Sequence, residues 1–282
     1  MAIKIITDST SYIPKEFIDE YDISVISLNV LMNGVSKREV DLDTATFYAD
    51  MQLNNEIPTS SQPSPDEMYN TFEKIVKNGD SIVGIFISSD MSGTVSSANL
   101  VKNMILEKYP SAEIIIIDSR TNCMQMGYIA IEAAKAAKEN KDINEIVDIC
   151  NRVINNSRFL FTPDTLDYLK KGGRIGGASA LLGTLFQIKP ILTVIDGKTT
   201  VFTKVRTKKK AIETLVNTLI ADLQDKKLGG VIVHHINCKE EGLLLASTIK
   251  EKLDIDVKIA TIGPVIGLHV GPGSIGIAYF TK

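Results

Sequence analysis

The sequence predicts an α/β protein of two parts: a doubly wound, mostly parallel sheet, then a mixed sheet with helices. Three observations carry this. Strand-like and helix-like segments alternate through the first half. Two of those strands, "SIVGIFI" and "AEIIII", are unbroken apolar runs of the kind buried on both faces of a parallel sheet. In the second half "PILTVIDGKTTVFTKV" reads as a hairpin turned at Asp196-Gly197.

Taken in order, "AIKIIT" is a short buried strand, and "IPKEFIDEY" a helix with Pro14 near its start. "ISVISLNVLMNG" reads as a strand and a turn, and "DTATFYADM" as a short helix. Ser64, Pro65 and Glu67 have the spacing of a capping box with proline at the first helical position. The helix they open carries Met68, Phe72, Ile75 and Val76 on one face. Between the two apolar strands lies a helix with Val95, Ala98, Val101 and Ile105 on one stripe. Two further helices are expected over roughly 123–140 and 144–156. The domain boundary is placed there, giving 1–156 and 157–282. After the hairpin come a helix of about 17 residues, the strand "GGVIVHHI", another helix, "DVKIATIG" and the strand "SIGIAYF". This pattern predicts a mixed sheet with helices on one side.

With 282 residues, 44% of them hydrophobic, the chain can bury a sizeable core. A formal net charge of −3 opposes a global attraction to nucleic acid or to anionic membrane. No run is long enough to span a bilayer, and no secretory leader is expected. Cys123, Cys150 and Cys238 are far apart, which fits a reducing cytoplasm and argues against a disulfide framework or a zinc site.

Three strands of the first half end in hydroxyl and acidic residues: "TDSTS" (7–11), "SSDMSGT" (88–94) and "DSRTN" (118–122). In a parallel sheet these loops share the carboxyl edge, where open α/β folds bind ligands. Ser92 and Gly93 also begin a helix, so N–H groups converge there on an anion. "PTSSQPS" (58–64) sets Thr59, Ser60, Ser61 and Gln62 before the other helix start. Taken singly, each serine is explained by helix capping; clustered on one edge, they point to a ligand.

"VIGLHVGPGSIG" (265–276) contains G-x-G-x-x-G at Gly271, Gly273 and Gly276. A strand follows it where a dinucleotide site requires a helix, so the loop is expected to hold His269 against some other ligand. Ser92 with His269 would make a nucleophile and base, but the elbow G-x-S-x-G is absent around both Ser92 and Ser274. A serine esterase or phosphoryl transferase therefore stands as the alternative. His234 and His235 are adjacent on a strand and point to opposite faces, so they do not chelate one metal together. "KKGGRIGG" (170–177) sets Arg174 between glycine pairs that let the backbone bend or approach a ligand closely. "KVRTKKK" (204–210) holds five cations in seven residues. It is either a solvated face or a docking surface built on Arg206, Lys208, Lys209 and Lys210.

"TDSTS", "PTSSQPS", "SSDMSGT", "DSRTN…MG", "L…KKGGRI", "KPIL…DG" and "IGPVIGLHVGPGSIG" occur in the order seen in DegV-family proteins, and the resemblance spans essentially the whole chain. It implies a two-domain carrier, itself no enzyme, similar to the fatty-acid-binding subunit of bacterial fatty acid kinase. One long-chain fatty acid would lie in a tunnel between the domains. Its carboxylate would be presented to a separate ATP-dependent kinase, and the acyl-phosphate then carried towards phospholipid synthesis through transient contact with membrane or an acyltransferase. No cofactor and no nucleic acid are implied. The head-group residues carried over are Ser60 or its neighbour Thr59, with Ser61; Ser92, Gly93 and Thr94; Arg174; and His269 with Gly271. Serine stands before Ser61-Gln62 where the family commonly has threonine, which leaves Thr59 and Ser60 both open.

Overall fold

The computed structural model describes residues 2–53, 57–183 and 188–282. Its first half runs β1 (Ile3–Asp8), α1 (Lys15–Tyr21), β2 (Ser24–Ile26), β3 (Asn29–Met32), β4 (Val35–Arg38), α2 (Thr44–Leu53) and β5 (Thr59–Ser61). It continues with α3 (Pro65–Lys77), β6 (Ser81–Phe86), α4 (Thr94–Lys108), β7 (Ile114–Asp118), α5 (Cys123–Lys138) and α6 (Ile143–Asn155). Four strands form an all-parallel sheet in the order β2-β1-β6-β7.

Strand alternation decides what each face covers. Ile6, Ile82 and Phe86 pack with Met68, Phe72, Ala98, Val101 and Ile105 of α3 and α4. Ile5, Val83 and Ile85 point the other way, towards α5. The sheet is thus doubly wound, as expected.

The second half contains β8 (Ser157–Thr162), α7 (Asp167–Lys171), β9 (Lys189–Ile195), β10 (Lys198–Val205), α8 (Lys208–Asp222) and β11 (Leu228–His235). After these come α9 (Lys239–Leu253), β12 (Lys258–Thr261), α10 (Pro264–Val270) and β13 (Ile275–Thr281). The six strands make one mixed sheet, β10-β9-β8-β13-β11-β12, in which only β11 and β12 are parallel. The β9–β10 hairpin turns at Asp196 and Gly197, both at positive φ (50° and 79°), as an Asp-Gly two-residue turn requires.

Four expectations are corrected. Helices do not lie on one side of the mixed sheet alone: α8 and α9 cover one face through Leu215, Leu219, Leu245 and Ile249, while Phe159, Phe161 and Phe280 on the other join the cluster around α5. Helix α5 is therefore apolar nearly all round, because it is wedged between the two sheets. The segment "ISVISLNVLMNG" yields two strands, not one, and β3 leaves for a separate antiparallel sheet, β4-β3-β5. The capping box at Ser64 does not form. Pro65 does open α3, but the Ser64 side chain makes no cap bond and Glu67 accepts from Arg38 instead, at 2.9 Å. Finally, "HVGPG" is no plain loop: His269 sits on the helix α10.

Candidate functional site

A cavity of about 400 Å³ opens between the carboxyl edge of the parallel sheet and the inner face of the mixed sheet. Its walls are apolar and come from both halves of the chain: Leu28, Ile87 and Met91 from the first, Phe159, Phe161, Val194, Ile236 and Ile266 from the second. Polar groups gather where β5, the start of α4, the turn after α7 and α10 converge. These are Ser60, Ser61, Gln62, Ser92, Gly93, Arg174 and His269.

Local sequence explains the convergence. Edge strand β5 pairs Ser60 with Val30, and period-2 alternation turns Ser60 inward while Thr59 is exposed. The Ser60 hydroxyl lies 2.9 Å from His269 Nε2. A side chain at position 172 would collide with His269 Nδ1, so the glycine of "KKGGR" is what lets the turn after α7 close against the imidazole. The Arg174 guanidinium then bridges two loops, donating from Nε to the Met91 carbonyl (3.1 Å) and from Nη1 to the Gly172 carbonyl (2.8 Å). At the start of α4, Ser92 Oγ is 2.9 Å from Thr94 Oγ1.

Desolvation, with the Arg174 charge second, pushes His269 down to about 4, so its imidazole is neutral at pH 7. Nδ1 is buried without a hydrogen-bond partner. The tautomer with its proton on Nε2 donates to Ser60 and avoids a buried orphan donor at Nδ1. Ser60 then keeps its own proton to give to whatever occupies the cavity. With Ser92 and Arg174 this makes a cluster of donors at one end of an apolar chamber, suited to an anionic head on a hydrophobic body.

Not every expected residue reaches the cavity. Thr59 is exposed and outside the lining, whereas its neighbour Ser60 lines the cavity. Thr94 is fully buried behind Ser92. Gly271 stands outside the lining and turns the chain after α10 at φ +89°, against the Tyr168 ring. Ser274 lines the cavity, but its hydroxyl is spent on the Gly271 carbonyl at 2.7 Å. The "TDSTS" hydroxyls are committed internally too: Thr10 donates to Asp8, and Ser9 to Glu39.

The sequence reading missed Phe159 and Phe161, Met91 and the apolar face of α10 as walls. Asn122, at the end of "DSRTN", also lines the cavity, and its Oδ1 has no partner. The "SRFLFT" alternation was the available signal for the two phenylalanines.

Among the described residues no cluster could hold a metal ion, and no helix is long and apolar enough to cross a membrane. In the basic segment Lys208 is tied to Glu241 and to the Gly273 carbonyl, and Lys210 to Glu213. Arg206 and Lys209 are exposed.

The model of the DegV family ("Uncharacterised protein, DegV family") matches residues 2–282. A DegV domain-containing protein of Clostridium acetobutylicum is 52% identical over 282 residues, 100% of this chain and 99% of the relative. Protein DegV of Bacillus subtilis is 34% identical with full coverage of both chains. Among solved structures, DegV of Bacillus subtilis, described as a fatty acid binding protein, superposes with a TM-score of 0.89 at 33% identity over 100% of each chain. A stearic acid-binding protein from Eubacterium ventriosum gives 0.90 at 26% identity, covering 99% of this chain and 98% of that one. Sequence, fold and the shape of the site lead to one conclusion: the chain belongs to the DegV family.

Proposed function

We propose that this protein binds one long-chain fatty acid in the cavity, with its carboxylate at Ser60, Ser92, Arg174 and His269. The observation that carries this is the uneven polarity of the chamber: mostly apolar walls from both halves of the chain, with Ser60, Ser92, Arg174 and His269 gathered where β5, α4, α7 and α10 converge. Its volume of about 400 Å³ lies in the range of small-molecule sites. A 16-carbon tail gains about 0.8 kcal/mol per buried methylene, roughly 11–12 kcal/mol before ordering costs. Affinity then comes mainly from the tail, and the polar end fixes which end of the ligand is presented. The division at residue 156 belongs to the same proposal, with the ligand between 1–156 and 157–282.

In this reading the protein is a carrier in a reducing cytoplasm, where its three free cysteines fit. A separate ATP-dependent kinase phosphorylates the presented carboxylate, and the carrier delivers the acyl-phosphate towards phospholipid synthesis. Arg206, just before α8, and Lys209, in its first turn, are exposed and are the docking cations; Lys208 and Lys210 are engaged within the chain.

The Ser60–His269 contact favours a second reading, acyl chemistry by a serine and its base. It differs from the expected Ser92–His269 pair, since Ser92 bonds Thr94. A general base also needs a group on its far nitrogen to orient it, and His269 Nδ1 has none. Native mass spectrometry of the purified protein separates the two. A bound mass equal to a common fatty acid is expected; an empty protein that accumulates an acyl-serine adduct with an activated ester would overturn the carrier.

A further inference from the structure

Helix α10 carries His269, yet it has little of its own to hold it. It has seven residues, its N-cap Gly263 offers no side chain, and Pro264 follows with no N–H. The next two backbone donors, Val265 and Ile266, belong to the first turn, where N–H groups find no partner inside the helix. Both are met from the other end of the chain. Glu39 Oε1 accepts from Val265 N–H at 2.8 Å, and the Tyr12 hydroxyl accepts from Ile266 N–H at 3.1 Å. The Tyr12 hydroxyl in turn donates a hydrogen bond to the same Glu39 Oε1, at 2.8 Å. The buried Tyr48 hydroxyl donates to the Ile262 and Gly263 carbonyls, both at 2.9 Å.

We propose that Glu39, with Tyr12, is a positioning residue for the ligand head. It caps α10 in trans and so fixes His269 against Ser60. Glu39 is 4% exposed, far from any role in charging the surface. Its other oxygen, Oε2, lies 2.5 Å from Ser9 Oγ, and that hydroxyl also accepts from Leu28 N–H.

Burial, with the nearby Asp8 carboxylate adding to it, raises Glu39 to about 7. The cap does not depend on which protonation state prevails. Ionised, the carboxylate accepts from all three donors; protonated on Oε2, it donates to Ser9 while Oε1 keeps Tyr12 and Val265. What α10 requires is an acceptor at Oε1, so a glutamine should replace Glu39 and an alanine should not. The ionisable groups around Glu39 are Asp8, Tyr12, Tyr48 and Cys123; Arg174 is the charge beside His269.

The inference rests on the fatty-acid reading only for the word head, and its test does not require a ligand. The chain has three histidines, so His269 is assigned in NMR by the ring signal lost in His269→Gln. In the ligand-free protein that ring should titrate near 4. In Glu39→Ala, with α10 loosened and water admitted, its midpoint should rise towards the ordinary 6.5. Glu39→Gln should keep the wild-type midpoint. Tyr12→Phe, which removes the acceptor for Ile266, should shift it in the direction of Glu39→Ala and serves if that variant does not fold. A lowered melting temperature with an unmoved His269 midpoint in Glu39→Ala and Tyr12→Phe would overturn the proposal, as would Glu39→Gln behaving like Glu39→Ala. Fatty acid retention is measured beside it. A shifted midpoint with undiminished retention supports the cap and counts against the head-group reading.

Discussion

Of the chain's three histidines, His234 on β11 and His269 on α10 are both pushed down to about 4 by desolvation. On β11 His234 is fully buried and fully bonded: Nε2 accepts from Met124 N–H at 3.2 Å, so Nδ1–H donates to the Ala260 carbonyl, also at 3.2 Å. It ties the start of α5 to the edge of the mixed sheet. On α10 His269 has one nitrogen on Ser60 and the other orphaned, and it borders a cavity. Equal shifts thus mark unequal jobs. His234 is a joint in the structure, while His269 borders the cavity and in the proposed function meets the ligand; an orphaned nitrogen alone does not mark a site, since His235 Nδ1, away from the cavity, is orphaned too.

The sharpest way to break that contrast is to truncate each ring. His234→Ala leaves a buried N–H and a carbonyl unpaired and opens a void, so urea unfolding should show a loss of about 3–4 kcal/mol. The deficit should also depend on pH. His234 titrates lower folded than unfolded, so the unfolded chain takes up the proton first. The stabilisation is present above about 6.5 and is lost as pH falls towards 4, by about 3 kcal/mol over the window. Glu39 and Asp8, raised to about 7 and about 6, run in the opposite sense and mute the wild-type profile. The wild-type minus His234→Ala difference should therefore shrink on acidification; a constant difference would show that the ring is not desolvated when folded.

His269→Ala should reverse the pattern. Stability should change by less than about 1 kcal/mol, because no buried partner beyond Ser60 is orphaned. Fatty acid affinity should fall about 10- to 100-fold, because without the Nε2–H donor the Ser60 hydroxyl is no longer held with its own proton directed at the carboxylate. A stability loss as large as that of His234→Ala, with affinity unchanged, would make the two sites alike. Smaller still is the step between neighbours on β5. Ser60→Ala should weaken binding by roughly 1–2 kcal/mol and Thr59→Ala should not change it; equal effects would mean that β5 alternation does not select the head-group hydroxyl. Smallest is the basic segment. Reversing Arg206 and Lys209 to glutamate should slow acyl-phosphate formation a few-fold at low salt and hardly at high salt, with bound ligand unchanged. Superimposable rates against ionic strength would return the segment to a solvated face.

What was legible in the sequence was whatever repeats at short range. Apolar runs gave β1, β6 and β7; the 3.6-residue stripe gave α3 and α4; Asp196-Gly197 gave the hairpin. The edge loops were legible because a parallel sheet puts their ends together. The rest depends on contacts across the chain. Strand β8 lies in the middle of the mixed sheet, yet only Asn156 separates its six residues from α6. Helix α10, seven residues between Gly263 and Gly271, is too short to show a helical pattern, and its cap comes from residue 39. Ser64 and Glu67 had the right spacing for a capping box, but Arg38, distant in sequence, took the glutamate. At the site, the residue types around the head were readable while their pairings were not: Ser60, not Ser92, meets His269, because β5 becomes an edge strand only by joining β3.

The central claim is that a fatty acid lies here head to His269, and one measurement reaches it directly. With a ¹³C-labelled long-chain fatty acid bound, isotope-edited NOEs to the His269 ring identify which end of the ligand touches it. Cross-peaks from the methylene next to the carboxylate, and none from the terminal methyl, are the expected result. Cross-peaks from the terminal methyl alone, or a ligand that makes none, would contradict the account.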